Sequence, residues 1–242
     1  FKGCVNLKKL TLNKNENLQD IRMEGSNKLT SLTLSGCLML KSMKSFRQMP
    51  LIDLVIENTS ITDFQAKDYP NLEYLSFSGN PQKKVEVSSL KKLWHLKVVG
   101  ERTTKKLDVS KMSKLDELIW KDGVLKKIKF GKSKKFDTIN VSNNQLSGAW
   151  DLGAYKKLET FVCNDNKITS LKFGKHSDNL TNVYCRNNKI KVMEASYAYN
   201  LRNIDCRGNK GIKLYLFVDS EEDCNDWRFG KTAKAYFGIH RR

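Results

Sequence analysis

Leucines and other apolar residues recur in this chain with a period of 21 or 22 residues. The first repeat places them at Leu7, Leu10 and Leu12 and ends on Asn15. Nine further repeats begin at Leu29, Leu51, Leu72, Leu93, Leu115, Phe136, Leu158, Leu180 and Leu201. The fourth and sixth positions are apolar in all ten repeats. So regular a pattern predicts a stack of equivalent structural units rather than an irregular globular domain.

Each repeat contains two apolar segments. Apolar and polar positions alternate in the first segment, which is typical of a β-strand with one buried face. A second, weaker segment follows about 11 residues later, for example Ile168, Leu171 and Phe173. A period of 21 or 22 residues leaves no room for a full helix beside them. We therefore predict a β-solenoid of about ten repeats, with a parallel β-sheet on one side, extended segments on the other and little helix.

The most specific form of the pattern lies in residues 158–171 (LETFVCNDNKITSL) and 180–190 (LTNVYCRNNKI), where cysteine replaces the inner leucine. These segments resemble the bacterial leucine-rich repeat family of internalin-like surface proteins, and most of all the internalin J type, whose repeats bury such cysteines in a column. The resemblance covers residues 7–209. It implies a leucine-rich repeat fold and an extracellular or cell-surface bacterial setting. Four repeats depart from the pattern at the asparagine position, where they carry Cys37, Thr59, Glu101 and Gly123. The sequence does not predict which hydrogen bonds close the turns of these four repeats.

The period also suggests how the chain is organised. Residues 1–211 are predicted to form the solenoid and residues 212–242 a C-terminal cap or a junction to a further domain. Phe1 and Cys4 fall in the second half of a repeat, so we expect upstream repeats to be missing. After Ile212 the period is lost, and Ser220-Glu221-Glu222-Asp223 predicts a capping box that opens a short helix ended by Gly230.

Three of the six cysteines, Cys163, Cys185 and Cys206, share one inward position in successive repeats. We predict that they are buried free thiols, which pack as small apolar groups. A disulfide between two of them is the alternative, although parallel side chains in register rarely point correctly for one. A straight column does not supply four tetrahedral zinc ligands. The sequence does not pair the remaining cysteines, Cys4, Cys37 and Cys224.

The sequence contains no recognisable catalytic constellation. Its histidines, His95, His176 and His240, fall in different repeats and registers. No serine–histidine–aspartate set, HExxH motif or phosphate-binding glycine loop is present. No apolar run approaches the length of a membrane-spanning helix. We therefore predict a binding scaffold that is not an enzyme, with no catalytic, cofactor or metal residues.

Positions three, five and seven of each repeat point outward and form the candidate recognition surface. Aromatic and apolar groups beside charged ones fit a protein-binding patch, and tyrosine and arginine are frequent interface hot spots. The alternative is a solvated sheet face without a partner. The predicted partner-binding residues are Tyr74, His95, Lys97, Val99, Ile119, Lys121, Tyr184, Arg186 and Arg207.

The net charge of +18 is concentrated in one part of the chain. Residues 82–135 carry 17 basic and 6 acidic side chains, which accounts for +11. Many of these lysines form a predicted basic stripe off the strand face, able to hold a polyanion such as a sulfated glycan or an anionic surface. Alternatively they only keep the solenoid soluble and discourage edge pairing. Nucleic acid is disfavoured because aromatic residues for base stacking are absent there. The stripe comprises Lys105, Lys106, Lys126, Lys127, Lys129, Lys132, Lys134 and Lys135.

The leading hypothesis is a non-enzymatic binding module of a secreted or cell-surface bacterial protein, which mediates adhesion to a protein or glycan through its strand face. One alternative is polyanion binding through the basic stripe. The other is a targeting segment of a larger enzyme. The partner's identity and the oligomeric state are left open by the sequence.

Overall fold

A computed structural model describes residues 1–131, 135–217 and 226–238. The chain divides into two compact units, one of residues 1–115 with 128–131, the other of residues 116–127 with the described residues from 135 onward. Both consist of stacked β-solenoid repeats with parallel strands, and the described residues form about ten of these turns with almost no helix. The predicted fold class is confirmed.

The first unit contains a parallel sheet with one strand per repeat. Its strands are β1 (Lys9–Asn13), β2 (Ser31–Ser35), β3 (Asp53–Glu57), β4 (Tyr74–Ser78) and β5 (His95–Val99), which pair in that order. On the other side of the repeats lie two 3₁₀ helices, Lys44–Phe46 and Ala66–Asp68, and the short strand β6 (Lys106–Asp108), which pairs with β8 (Lys127–Lys129).

The second unit has a sheet on each side of its repeats. The first sheet contains β7 (Glu117–Lys121), β9 (Thr138–Asn140), β11 (Thr160–Val162), β13 (Asn182–Tyr184), β15 (Asn203–Asp205) and β17 (Asp226–Arg228). The second sheet contains β10 (Ser147–Asp151), β12 (Lys167–Lys172), β14 (Val192–Ala195), β16 (Lys213–Phe217) and β18 (Lys234–Gly238). All the pairs are parallel.

The fourth and sixth positions of the repeats fill the core, as the alternation predicts. Leu32, Leu34 and Trp120 are fully buried, and the cysteines of the inward column are buried to the same extent. Cys163, Cys185 and Cys206 are free thiols. Burial raises the pKa of Cys163 and of Cys185 far above the usual thiol range, and raises that of Cys206 to about 12. The cysteine column therefore consists of buried, protonated thiols that pack in the core as apolar groups.

Asparagines at the ninth position connect successive repeats. Asn188 is typical: its Nδ2 donates to the carbonyls of Cys163, Cys185 and Arg186 at 2.9–3.1 Å, and its Oδ1 accepts from the amide of Ile168 at 3.0 Å. Asn144, Asn166 and Asn209 make equivalent bonds. Each asparagine of this ladder thus satisfies backbone groups of two neighbouring repeats, which are costly to bury unpaired.

The repeats without this asparagine satisfy their turns in other ways. The Glu101 carboxylate accepts from the amides of Thr103 and Thr104 at 2.9–3.1 Å. Thr59 donates through its amide and hydroxyl to Asn80 Oδ1 of the next repeat, at 3.0 and 2.8 Å. Cys37 places its Sγ 3.6 Å from the carbonyl oxygen of Leu12, and the amide of Gly123 donates to the carbonyl of Asn143 at 2.9 Å. Glu101 therefore replaces the asparagine bonds within its own repeat, whereas Cys37, Thr59 and Gly123 contact a neighbouring repeat.

Strand pairing continues through the predicted C-terminal region. β17 pairs with β15, and β18 with β16, in the same register as the strands before them. The predicted capping box, Ser220 to Asp223, lies outside the described residues, as do Cys224 and His240. The short helix was predicted to continue to Gly230, but residues 226–228 form strand β17. The boundary at residue 212 stays a prediction.

Candidate functional site

The outward side chains of the first sheet in each unit form what we call the strand face. In the first unit its main feature is an aromatic cluster. Tyr74 and His95 are register partners on β4 and β5, and their rings stack with centroids 4.1 Å apart and nearly parallel. Trp94, directly before β5, meets both rings at 5.6 Å and is 40% exposed.

The aromatic cluster corrects one part of the predicted site. His95 points outward as predicted but is only 6% exposed, because Tyr74 and Trp94 cover its ring. Tyr74 is half-buried. The accessible group here is therefore Trp94, which occupies the second position of its repeat rather than a predicted outward position.

Lys97 and Val99 lie further along β5 and are both half-buried. The Lys97 ammonium binds the Glu57 carboxylate at 2.9 Å, and the Ser76 hydroxyl donates to the same oxygen at 2.7 Å. Burial by itself would raise the pKa of Glu57, but these two hydrogen bonds, the charge of Lys97 and a hydrogen bond from Ser78 together lower that pKa below its usual value. Lys97 is thus held inside the face as one half of an ion pair.

Ile119 and Lys121 belong to β7 of the second unit and are half-buried. The Lys121 ammonium lies 3.6 Å from the Asp122 carboxylate. The Asn143 side chain of the next repeat donates to Asp122 as well, at 2.5 Å. Charge at this point of the strand face is therefore locally balanced.

The second predicted cluster surrounds a buried carboxylate. Arg207 donates from Nε and Nη2 to the two oxygens of Asp205, at 2.9 and 2.7 Å. Arg186, one repeat earlier, has its Nε 3.9 Å from Asp205 Oδ2. The arginine side chains are 44% and 46% exposed, whereas Asp205 is 10% exposed. The structure thus brings Arg186 and Arg207 together around one carboxylate.

The neighbours of Asp205 set its charge state and the charge of the cluster. Burial opposes ionisation, but the hydrogen bonds and charge of Arg207, with the charge of Arg186, lower the pKa of Asp205 below its usual value. The exposed Arg228 is its register partner on β17. Tyr184, half-buried on β13, is its register partner on the other side. The result is a positively charged patch with an aromatic ring beside it.

Asp205 lies at the outward fifth position of its repeat, as the pattern predicts, but neither it nor Trp94 was among the predicted partner-binding residues. The sequence did contain a signal for the role of Asp205. This aspartate precedes Arg207 by two residues and lies in the repeat after that of Arg186, so it is placed to bridge the two arginines. Trp94 gave no comparable signal, because its position in the repeat precedes the strand.

The predicted basic stripe is distributed over both units. Lys105, Lys106 and Lys129 belong to the first unit, and Lys126, Lys127 and Lys135 to the second; all six are exposed. Lys129 is partly neutralised by Asp108, whose carboxylate lies 3.2 Å from its ammonium. Lys132 and Lys134 lie outside the described residues. Polyanion binding through this stripe stays a prediction.

Residues 1–131, 135–217 and 226–238 contain no group of three or more histidine, cysteine, aspartate or glutamate side chains arranged to hold a metal ion. Over the same ranges no helix is long and apolar enough to cross a membrane.

A solenoid of 21- and 22-residue repeats with an asparagine ladder and an inward cysteine column defines a leucine-rich repeat fold. Solved structures agree with this assignment. The chain is similar to a leucine-rich repeat protein of Leptospira interrogans (TM-score 0.66, 16% identity, 98% of this chain and 69% of that one). It is also similar to the functional domain of InlJ from Listeria monocytogenes, described as including a cysteine ladder (TM-score 0.58, 16% identity, 95% of this chain).

This chain spans 64% of the length of the InlJ structure. A plant peptide hormone receptor, RGFR1, solved in complex with RGF2, is similar over 88% of this chain and 37% of its own length, with a TM-score of 0.60 and 14% identity. No protein-family model and no curated protein matches the sequence. At these identities the comparisons establish the fold, and the predicted internalin-like resemblance is confirmed at that level.

Proposed function

We propose that this chain is a non-enzymatic protein-binding module that contacts its partner through the strand face of the second unit. Leucine-rich repeat proteins are generally binding modules rather than enzymes. The observation that carries the proposal is the cluster of Arg186 and Arg207 around the buried Asp205, with Tyr184 beside it. Arginine and tyrosine contribute strongly to interfaces, and a guanidinium already held in place loses less freedom on binding.

The setting we propose is a secreted or cell-surface bacterial protein that adheres to a protein or a glycan. The support is the likeness to the InlJ domain and to the Leptospira protein. The RGFR1 complex is an example of the same fold with a bound ligand. Because this chain spans only part of the InlJ structure, adhesion is a proposal for the protein as a whole.

The proposal is tested with Tyr184→Ala combined with Arg186→Ala. Partners would first be sought on arrays of purified cell-surface ectodomains and glycans, and the affinity of any specific hit would then be measured by surface plasmon resonance. We expect the double variant to weaken binding at least tenfold, since each residue has the type and exposure of a hot spot. Its melting temperature should stay within about 2 °C of the parent, because both side chains lie on the surface.

The matched control is Lys175→Ala combined with Tyr197→Ala, which removes a basic residue and a tyrosine from a cleft on the second-sheet side of the same unit. It should change affinity less than twofold. Binding that survives the strand-face substitutions, or that falls equally in both variants, would show that the partner uses another surface.

A further inference from the structure

A group of lysines outside the predicted basic stripe lies in the second unit, where the asparagine ladder leads into the second sheet. Each ladder asparagine in the last three repeats is followed directly by a lysine. Because the asparagines occupy the same place in successive repeats, the lysines also stack in one column. All three are exposed. They are Lys167, Lys189 and Lys210.

A second column runs beside the first. Lys213 is the register partner of Val192 on β14, and its amide donates to the carbonyl of Lys191, the residue before Val192, at 2.9 Å, so Lys191 lies one residue out of line with Lys213. Lys213 and Lys234 are register partners on β16 and β18. The isoleucines that precede Lys191 and Lys213, Ile190 and Ile212, are fully buried, which directs the lysines outward.

The two columns adjoin. The Lys191 ammonium donates to the backbone carbonyl of Lys210 in the following repeat, at 2.9 Å. Six exposed ammonium groups are thus arranged along four successive repeats that are about 4.8 Å apart. We call this set the lysine corner; it comprises Lys167, Lys189, Lys191, Lys210, Lys213 and Lys234.

The lysine corner is not neutralised from within the described part of the chain. Other lysines have carboxylate partners there, such as Lys97 with Glu57 at 2.9 Å and Lys129 with Asp108 at 3.2 Å. None of the six makes an ion pair with a described residue. Like charges on neighbouring strands repel each other, so an anion bound along the corner would relieve an existing cost.

We propose that the lysine corner binds a linear sulfated polysaccharide, aligned along the stack of repeats with its sulfate groups on successive lysines. The corner is a line of charges, and a narrow chain can follow it. An anionic membrane pressed against the second sheet would also meet the carboxylates of Asp151 and Glu194 on β10 and β14.

Nucleic acid fits the lysine corner less well than a sulfated chain. Duplex DNA is recognised by an element such as a helix that enters a groove, and the described part of this sheet consists of strands. Single strands bind through bases stacked on free aromatic rings. Of the rings on this part of the second sheet, Tyr215 and Tyr236 already stack on each other with centroids 5.2 Å apart, and Phe237 stacks on Trp227 at 6.1 Å. This site is distinct from the strand face, so it does not depend on the proposed function.

The experiment compares two triple variants that each remove three positive charges from the second unit. The corner variant is Lys189→Gln, Lys191→Gln and Lys213→Gln. The control variant is Lys156→Gln, Lys157→Gln and Lys175→Gln, whose lysines are exposed and lie outside the corner. Affinity for heparin is measured at 150 mM sodium chloride by isothermal titration, with desulfated heparin, a single-stranded DNA 20-mer and phosphatidylserine vesicles as competing probes.

We expect the corner variant to lose at least tenfold in heparin affinity and the control less than threefold. The parent should bind heparin more tightly than any of the other three probes. Equal losses in the two variants would overturn the proposal, since net charge alone would then explain binding. Equal binding of desulfated heparin, or tighter binding of DNA or vesicles, would also overturn it.

A measurement on the unaltered chain guards against a misfolded variant. Lysines of the parent protein are acetylated with and without heparin, and the modified residues are identified by mass spectrometry. Heparin should protect the six corner lysines at least threefold more than Lys156, Lys157 and Lys175. Uniform protection of all these lysines would contradict the proposed site.

Discussion

Asp205 shows how one residue organises the strand face of the second unit. Its carboxylate is buried, which alone would be unfavourable for a charge, but Arg207 binds both of its oxygens and Arg186 lies nearby. A charged hydrogen-bonded pair of this kind orients the arginine forks rather than leaving them to move freely. The exposed guanidinium edges are therefore presented in a fixed geometry, which suits recognition.

The ionisation of Asp205 should make part of the protein's stability depend on pH. Its pKa is lowered in the folded state, so the stabilising effect is present above the ordinary aspartate value of 3.8 and is lost as pH falls through the lower folded value. We expect Asp205→Asn to reduce the free energy of unfolding by about 1–2 kcal/mol at pH 7. The difference from the parent should shrink below about pH 4. Urea unfolding at pH 7 and pH 3 measures both.

Asp178→Asn is the control for this measurement, because Asp178 is an exposed aspartate in the same unit. It should change the free energy of unfolding by less than about 0.5 kcal/mol at either pH. If Asp205→Asn did not lower the free energy of unfolding at pH 7, or if its difference from the parent grew on acidification, the role assigned to this carboxylate would be contradicted.

At the scale of the single repeat, the asparagine ladder connects one turn of the solenoid to the next. Asn188 bonds two carbonyls of its own repeat, one carbonyl of the preceding repeat and the amide of Ile168. Hydrophobic stacking alone would allow neighbouring repeats to slide, because apolar contacts are not directional. The buried amide fixes their register, since any shift leaves polar backbone groups without partners.

Asn188→Ala should therefore destabilise the protein far more than an ordinary polar substitution. The variant leaves the buried amide of Ile168 without its acceptor, and it removes one donor from each of three carbonyls that keep another, so we expect a loss of about 3 kcal/mol. Asn200→Ala is the matched control, because Asn200 is exposed and its amide donates only to the carbonyl of Asp178. It should cost less than about 0.5 kcal/mol by urea unfolding. Similar losses for the two variants would refute a special role of the ladder.

The repeat pattern predicted the strands and the buried columns because both follow from periodicity. Inward positions such as Leu32 and Cys185 are buried as the alternation requires. Outward positions were less predictable, because their exposure depends on neighbours in other repeats. His95 is covered by Tyr74 and Trp94, and Ser76 is buried by its bond to Glu57. These contacts join different repeats and leave no periodic signal in the sequence.

The lysine corner is not predicted by the sequence for a related reason. The segment richest in charge, residues 82–135, indicates the predicted basic stripe instead. The corner lysines are separated by about 20 residues along the chain, and only the stacking of β12, β14, β16 and β18 brings them side by side. Charge per segment is therefore a poor guide to charge on the surface of a solenoid.

For the whole molecule, the net charge of +18 should oppose folding by repulsion among like charges. Surface ion pairs offset little of it, because solvent screens the attraction within exposed pairs such as Lys84 with Glu86. Added salt screens both effects, with a Debye length of about 10 Å at 0.1 M. Repulsion extends over many lysines whereas attraction is confined to a few pairs, so the repulsive term should dominate the response.

We therefore expect the melting temperature to rise by several degrees between about 20 and 300 mM sodium chloride. Differential scanning calorimetry at pH 7 measures this shift. The Lys156→Gln, Lys157→Gln and Lys175→Gln control, with three fewer positive charges, should show a smaller rise because it has less repulsion to screen. A melting temperature that falls with salt would mean that ion pairs outweigh the repulsion. Repulsion among the lysines of the corner would then not destabilise the fold, and a bound anion would have no such repulsion to relieve.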